Sequence, residues 1–389
     1  MFKRIFQMPK KSFFLLGPRG TGKSTWFRTQ TFDLVIDLLK SRTRLELERN
    51  PSHLHALTAP IASGGWVLID EVQKIPALLD EVHSIYEERG INFALTGSSA
   101  RKLKRSGVNL LAGRALNFSF FPLVYPEYGD AIPLMDRVEW GTLPLVVDQM
   151  EHRADTLETY VDNYLRQELV EEGIVRNLEP FTRFLQVAAL MNAQILNVEN
   201  IARDAQVKRP TVDKYFEVLI DTLIGYRLPA YQPGLKTKEV AHPKFYFFDP
   251  GVARAAAGLV REPLDRSQLG FQLETFILNE VRAYNEYSRR KRDLYHYALS
   301  GGRDIDLIIQ LEKKTTSKSD RVVAIEFKLK NKWDSGWTKQ LEEFRAWKGA
   351  SSVEKLIGVY TGEQRLKIGN VEVFPVDGFL KALHSGEIY

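Results

Sequence analysis

Short apolar runs recur through the first third of the chain, each ending at a polar or glycine-rich break. Phe13-Phe14-Leu15-Leu16, Asp33-Leu34-Val35-Ile36-Asp37, Trp66-Val67-Leu68-Ile69, Phe93-Ala94-Leu95-Thr96 and Ala115–Phe120 are four to six residues long. That length predicts buried strands. Between them, residues 41–58 and 78–89 carry helical spacing. Strands alternating with helices predict an α/β fold with a doubly wound parallel sheet, its ligand at the C-terminal ends of the strands. Pro122, Pro126, Pro133 and Pro144 then predict a loop-rich hinge. Asp155–Glu172 is predicted helical, with Leu157, Tyr160, Val161, Tyr164, Leu165 and Leu169 on one face. Two short helices, Glu199–Gln206 and Thr211–Ile220, precede two strands at Gly225–Leu228 and Lys244–Phe248. A helix from Leu269 to about Tyr287 leads into three alternating stretches at 294–297, 304–309 and 322–328.

The chemistry begins in the turn after the first strand, Gly17-Pro18-Arg19-Gly20-Thr21-Gly22-Lys23-Ser24, with Thr25 following. Gly-x-x-x-x-Gly-Lys-Ser between strand and helix is the P-loop spacing. Glycines let consecutive N–H groups converge on a triphosphate, and the next helix turns its N-terminus to the same anion. Gly17, Gly20, Thr21, Gly22, Lys23, Ser24 and Thr25 are therefore assigned to ATP, with Lys23 on the β- and γ-phosphates and Ser24 on Mg²⁺. The third strand delivers Asp70-Glu71 at its C-terminal end, a Walker B arrangement. Asp70 is assigned to the Mg²⁺ shell and Glu71 to the attacking water. Ser98, after the fourth strand, is the candidate γ-phosphate sensor; the alternative is a serine-rich turn. Arg114 is the candidate finger toward a neighbouring subunit, the alternative being a surface ion pair.

Residues 13–121 resemble the AAA-type P-loop ATPases of bacteria and archaea. More narrowly, the chain resembles a prokaryotic family in which such an ATPase is fused to a C-terminal domain of unknown function. The residues that carry this are Gly17–Ser24, Leu68–Glu71 with Val72-Gln73-Lys74-Ile75-Pro76, Leu95–Ser99, Leu111-Ala112-Gly113-Arg114, and Phe121-Pro122-Leu123 with Glu127. The resemblance implies nucleotide between subunits and a homo-oligomer, a ring such as a hexamer. It partitions the chain into an ATPase domain at 1–150, a helical linker and winged helix-turn-helix at 151–262, and a third domain at 263–389.

In the second unit, the basic turn Val207-Lys208-Arg209-Pro210 separates the paired helices, Ala202 is the small residue of the first, and Thr211-Val212 opens the second. This is a helix-turn-helix pattern, and the following strands would form its wing. Lys208, Arg209, Thr211 and Lys214, with Lys236 and Lys238 at the wing tip, are the candidate DNA contacts. The alternative is a lid or a protein-docking module. In the third unit, Asp306 on one strand and Glu326-x-Lys328 on the next resemble the PD-(D/E)xK nucleases, a restriction-endonuclease-like α/β fold. The resemblance implies Mg²⁺ on Asp306 and Glu326, water activated by Lys328, and Glu274 as the acidic residue of the preceding helix. Period two would place Asp304 and Asp306 on one face. A DNA-binding platform without cleavage is the alternative.

Composition narrows the class. None of the 389 residues is cysteine, which excludes disulfides, thiol catalysis and Cys-based zinc and fits a reducing cytoplasm. No apolar run approaches a membrane span, and Lys10 and Lys11 interrupt any signal-peptide core. A net charge of +5 leans toward a polyanionic partner. The expected function is an ATP-hydrolysing DNA-binding protein, an oligomeric motor or remodeller. The alternatives are an ATP-gated Mg²⁺-dependent nuclease and a nucleotide-dependent switch that binds protein partners.

Overall fold

The structure, a computed structural model, describes residues 2–98, 113–165, 178–232, 242–299, 303–315, 319–348 and 352–389. The N-terminal unit is a five-stranded sheet of β1 (Phe13–Leu16), β2 (Leu34–Asp37), β3 (Trp66–Asp70), β4 (Asn92–Gly97) and β5 (Leu116–Ser119). The order is β2-β3-β4-β1-β5, and every pairing is parallel. Strands buried on both faces read as unbroken apolar runs. In β1, Phe14 and Leu16 enter one core with Val67, Ile69, Phe93 and Leu95. Phe13 and Leu15 enter the other with Trp26, Phe27 and Phe118. Two helices cover residues 41–58 rather than one, Ser41–Arg49 and His53–Thr58, with Pro51 at the break.

The proline-marked stretch is not a plain loop. It folds into the short helices Tyr125–Tyr128, Leu134–Trp140 and Pro144–Val147. The helix Arg153–Thr159 passes into a π-helical turn, Tyr160–Leu165. Helices Leu178–Leu190, Val198–Asp204 and Arg209–Asp221 follow, then the antiparallel pair β6 (Gly225–Leu228) and β7 (Lys244–Phe247). This pair is no free-standing wing. The chain leaving β6 pairs with the C-terminal sheet through Tyr231 N–H to His296 O at 2.7 Å and His296 N–H to Pro229 O at 3.0 Å.

The C-terminal sheet contains β8 (Asp293–Leu299), β9 (Arg303–Glu312), β10 (Arg321–Lys328), β11 (Val353–Tyr360), β12 (Leu366–Ile368) and β13 (Val371–Pro375), in the order β12-β13-β11-β10-β9-β8. Helices Arg266–Tyr287 and Val376–His384 pack on one face and Ser335–Lys348 on the other. Strict alternation fails in β9. Tyr295 lies opposite Ile308 but Tyr297 opposite Ile305, so β9 carries one extra residue between them. Ile305 and Leu307 consequently enter different cores.

A buried charge pair ties the N-terminal segment to the helix Tyr125–Tyr128. Arg4 Nε lies 2.9 Å from Glu127 Oε2, and the two side chains are 6% and 0% exposed. Glu127 also accepts Ile5 N–H at 2.8 Å and Val124 N–H at 3.1 Å, while Arg4 donates to the Phe121 carbonyl at 2.7 Å. Burial still lifts the Glu127 carboxyl above its ordinary range, so the pair fixes position more than it adds stability. Removing one partner is a different matter, because it leaves the other charge buried alone. Arg4→Ala is expected to cost about 3–5 kcal/mol, and replacing both residues with methionine less than the sum of the single changes, by urea unfolding.

Candidate functional site

The P-loop leaves β1 at the C-terminal edge of the sheet. Gly20 and Gly22 hold φ of 78° and 86°, conformations an L side chain resists, and Gly22 caps the helix Lys23–Phe27. The loop is held from outside at two carbonyls: Arg4 donates to that of Thr21, and the Tyr160 hydroxyl donates to that of Arg19 at 3.0 Å. Lys23 is buried and turned back, its ammonium donating to the carbonyls of Gly17 and, at 2.9 Å, Pro18.

Three carboxylates meet the loop. Ser24 Oγ donates to Asp70 Oδ2 at 3.3 Å. Asp37 lies beside Asp70 across the β2–β3 pairing. Burial, then the neighbouring Glu71 and Asp37, lift the Asp70 carboxyl above its usual range, against the pull of Lys23 and Ser24. Ser24 and Asp70 offer the hard oxygen donors a divalent cation takes, the remaining positions falling to water and phosphate. Glu71 sits in the left-handed region at φ 61°, a strain of about 1–3 kcal/mol of the kind that gathers at functional sites. Gln73 steadies it: Nε2 donates to Glu71 Oε2 and, at 3.2 Å, to Ser98 Oγ. Gln73 thus links the two predicted catalytic side chains. Its partners lie two and 25 residues away, so only a contact across β3 and β4 reveals the role.

Above the loop lies a cleft of about 860 Å³. Gly20, Lys23, Ser24, Thr25 and Glu71 line one side, and the segment Pro144–Tyr160 the other. Arg114 is elsewhere. It precedes Leu116, which pairs with the first residue of β1, whereas the P-loop follows the last. It ion-pairs with Glu87 at the surface, and that bond holds the Glu87 carboxyl below its usual range.

The helix-turn-helix residues Lys208, Arg209 and Lys214 are exposed and Thr211 half-buried; Arg209 pairs with Glu199 at 3.3 Å. Lys236 and Lys238 lie outside the described residues, as do Ser99, Leu111 and Ala112.

In the C-terminal unit, Glu274, Asp306, Glu326 and Lys328 do come together. Asp306 Oδ2 accepts Phe327 N–H at 2.8 Å, and Lys328 donates to Glu326 Oε1. Lys244, which the sequence pattern did not single out, enters from β7 to meet Glu274 Oε1 at 2.8 Å and Asp306 Oδ1 at 3.7 Å. The Tyr246 hydroxyl donates to the same oxygen of Glu274. Burial, reinforced by Asp306, pushes Glu326 up to about 8. Burial also pushes Glu274 up to about 7, with Lys244 opposing and Asp306 adding to the rise. Burial works against the charge of Lys328, but Asp306 and Glu326 more than offset it and hold the ammonium above its usual range. Among the described residues, no group of three or more His, Asp or Glu is arranged to hold a metal ion. With both lysines seated on its carboxylates, this set does not fit a divalent cation.

Comparison with known proteins places family matches along the chain. Residues 9–129 match an AAA domain, 133–262 a domain of unknown function (DUF8612), and 269–379 another (DUF4143). The N-terminal unit is thus an AAA domain of P-loop ATPase type, joined to a C-terminal domain of unknown function. An uncharacterized protein of Mycobacterium tuberculosis is 24% identical over 309 residues, covering 76% of this chain and 67% of that protein. An uncharacterized protein of Methanocaldococcus jannaschii is 21% identical, covering 47% of this chain and 46% of that protein. Among solved structures, Aeropyrum pernix ORC1 in complex with DNA matches 65% of this chain and 87% of its own at 13% identity, with a TM-score of 0.26. Protein VC1899 of Vibrio cholerae matches 96% and 97% at 13% identity, with a TM-score of 0.23. TM-scores this low carry no argument about fold or ligand. No helix among the described residues is long and apolar enough to cross a membrane.

The raised carboxyls have a pH consequence. A carboxyl whose folded pKa exceeds its unfolded value keeps its proton in the native state, so its contribution to stability is full at low pH and is lost as pH rises. For Glu326 that loss runs from the ordinary 4.5 to about 8. Thermal melting across this window should fall more steeply for the wild-type chain than for Glu326→Gln.

Proposed function

We propose that the chain binds and hydrolyses ATP and couples turnover to DNA. The observation that carries this is the convergence of Lys23, Ser24 and Glu71 on one cleft, with Asp70 bonded to Ser24 behind them. Lys23 swings from the carbonyls of Gly17 and Pro18 onto the β- and γ-phosphates. Ser24 and Asp70 hold Mg²⁺, which supplies neutralisation of phosphate charge. Glu71, oriented by Gln73, accepts the proton of the attacking water, and Ser98 reads the γ-phosphate.

In a homo-oligomer Arg114 would have to leave Glu87 to serve the site of a neighbouring copy. Leu39 lines the cleft and is 56% exposed, with Val35 and Leu45 exposed nearby in the chain. Leu39 offers that neighbour an apolar contact beside the nucleotide. DNA binding rests on the exposed Lys208, Arg209 and Lys214, which flank and open the second helix of the helix-turn-helix. Cleavage by the C-terminal unit gains no support, because its carboxylates are already paired with lysine.

Lys23→Ala should abolish ATP binding in equilibrium dialysis. Glu71→Gln should still bind ATP but hydrolyse it about 10²–10⁴-fold more slowly. Duplex, single-stranded or branched DNA should raise the turnover of the wild-type chain, and Lys208→Glu with Lys214→Glu should remove that stimulation. Unaltered ATP consumption with every DNA, together with no retention on a gel, would reject the coupling and leave a nucleotide switch.

A further inference from the structure

β7 places its side chains alternately into two units. Phe245 and Phe247 enter the core of the middle unit, and Tyr246 enters that of the C-terminal unit. Lys244 follows Tyr246, as period two requires. Its ammonium is 7% exposed and lies among carboxylates, 2.8 Å from Glu274 and 3.7 Å from Asp306. Glu274 Oε1 already receives two donors, Lys244 and Tyr246, and Asp306 Oδ2 and Glu326 Oε1 each receive one. The buried Glu274 and Glu326 and the half-buried Asp306 therefore face the buried Lys244 and the half-buried Lys328. The remaining oxygen of Glu326, Oε2, is buried without a hydrogen-bond partner.

We infer that Lys244 is the resident cation of this acidic site and excludes divalent metal from it while β7 is docked. The lysine takes the place in which a nuclease of this pattern would need an ion. Its tether matters, because Lys244 reaches the site from the hairpin that follows the helix-turn-helix and not from the C-terminal sheet. Withdrawal of β7 would leave Glu274 and Asp306 with like, uncompensated charge and create a demand for a divalent ion. This inference is independent of the assignment of the N-terminal cleft.

The test uses Mn²⁺ as the probe, read as loss of the free-ion signal in electron paramagnetic resonance. The full chain is used without nucleotide and with Ser24→Ala to silence the P-loop. The chain retaining Lys244 should leave the Mn²⁺ signal undiminished. Lys244→Gln should take up Mn²⁺ stoichiometrically, uptake that Asp306→Asn removes. Lys244→Arg, which keeps the charge, should take up none. Uptake by the Lys244 chain that Asp306→Asn abolishes would overturn the inference, as would a folded Lys244→Gln chain that binds no Mn²⁺. Should Lys244→Gln fail to fold, the chain retaining Lys244 decides the matter alone.

Discussion

The guanidinium of Arg4 is bonded to three parts of the chain at once. It grips the Thr21 carbonyl of the P-loop, the Phe121 carbonyl just after β5, and Glu127 in the helix Tyr125–Tyr128, near the end of the AAA match. Phe120 lies beneath it, 4.1 Å from the ring centre. Fixing one carbonyl of a phosphate loop biases the direction of the neighbouring amides, so the geometry of the anion cradle depends on a residue far outside it. The arrangement also sets where the middle unit begins. The chain continues from Glu127 through Gly141 to the segment that roofs the cleft, and there Tyr160 takes the Arg19 carbonyl. Both outside holds on the loop thus trace to one buried junction, which makes the cleft a property of two units and not of the AAA domain alone.

The parts legible in the sequence are those whose logic is local. Gly17–Ser24 declares itself because phosphate binding needs a tight turn between strand and helix. Asp70-Glu71 is legible because a buried strand exposes polar residues only at its end. The residues that stayed hidden act across long separations. Arg4 and Glu127 are 123 positions apart by number, Tyr160 and Arg19 141, and Lys244 and Glu274 sit in different units. No periodicity encodes such meetings. Gln73 was visible only as part of a resemblance, since its value lies in touching Glu71 and Ser98 together. The β9 irregularity shows another limit: alternation identifies a strand, but a single extra residue redirects everything beyond it.

The C-terminal site illustrates how pattern and chemistry can part. An Asp, a Glu-x-Lys and a helical Glu occur in the order a metal-dependent nuclease would use, and the fold gathers them. Chemistry then turns on what else arrives, and here a lysine from a distant strand arrives too. Two ammonium groups among three carboxylates, with Glu274 and Glu326 buried, form a knot of nearly balanced charge. Such a knot is costly to bury and costlier to break. It suits a docking point between units at least as well as a reaction centre.

The strand β7 has one further implication. Its two phenylalanines are anchored on one side, and its tyrosine and lysine on the other. A strand that belongs to two interiors acts as a shared beam. Cutting the polypeptide near residue 262 would not yield two finished modules, for the distal piece would lose a wall and inherit an unneutralised Glu274. Any swivel of the roof over the nucleotide cleft must therefore carry the C-terminal sheet along with it or tear this beam from one of its sockets.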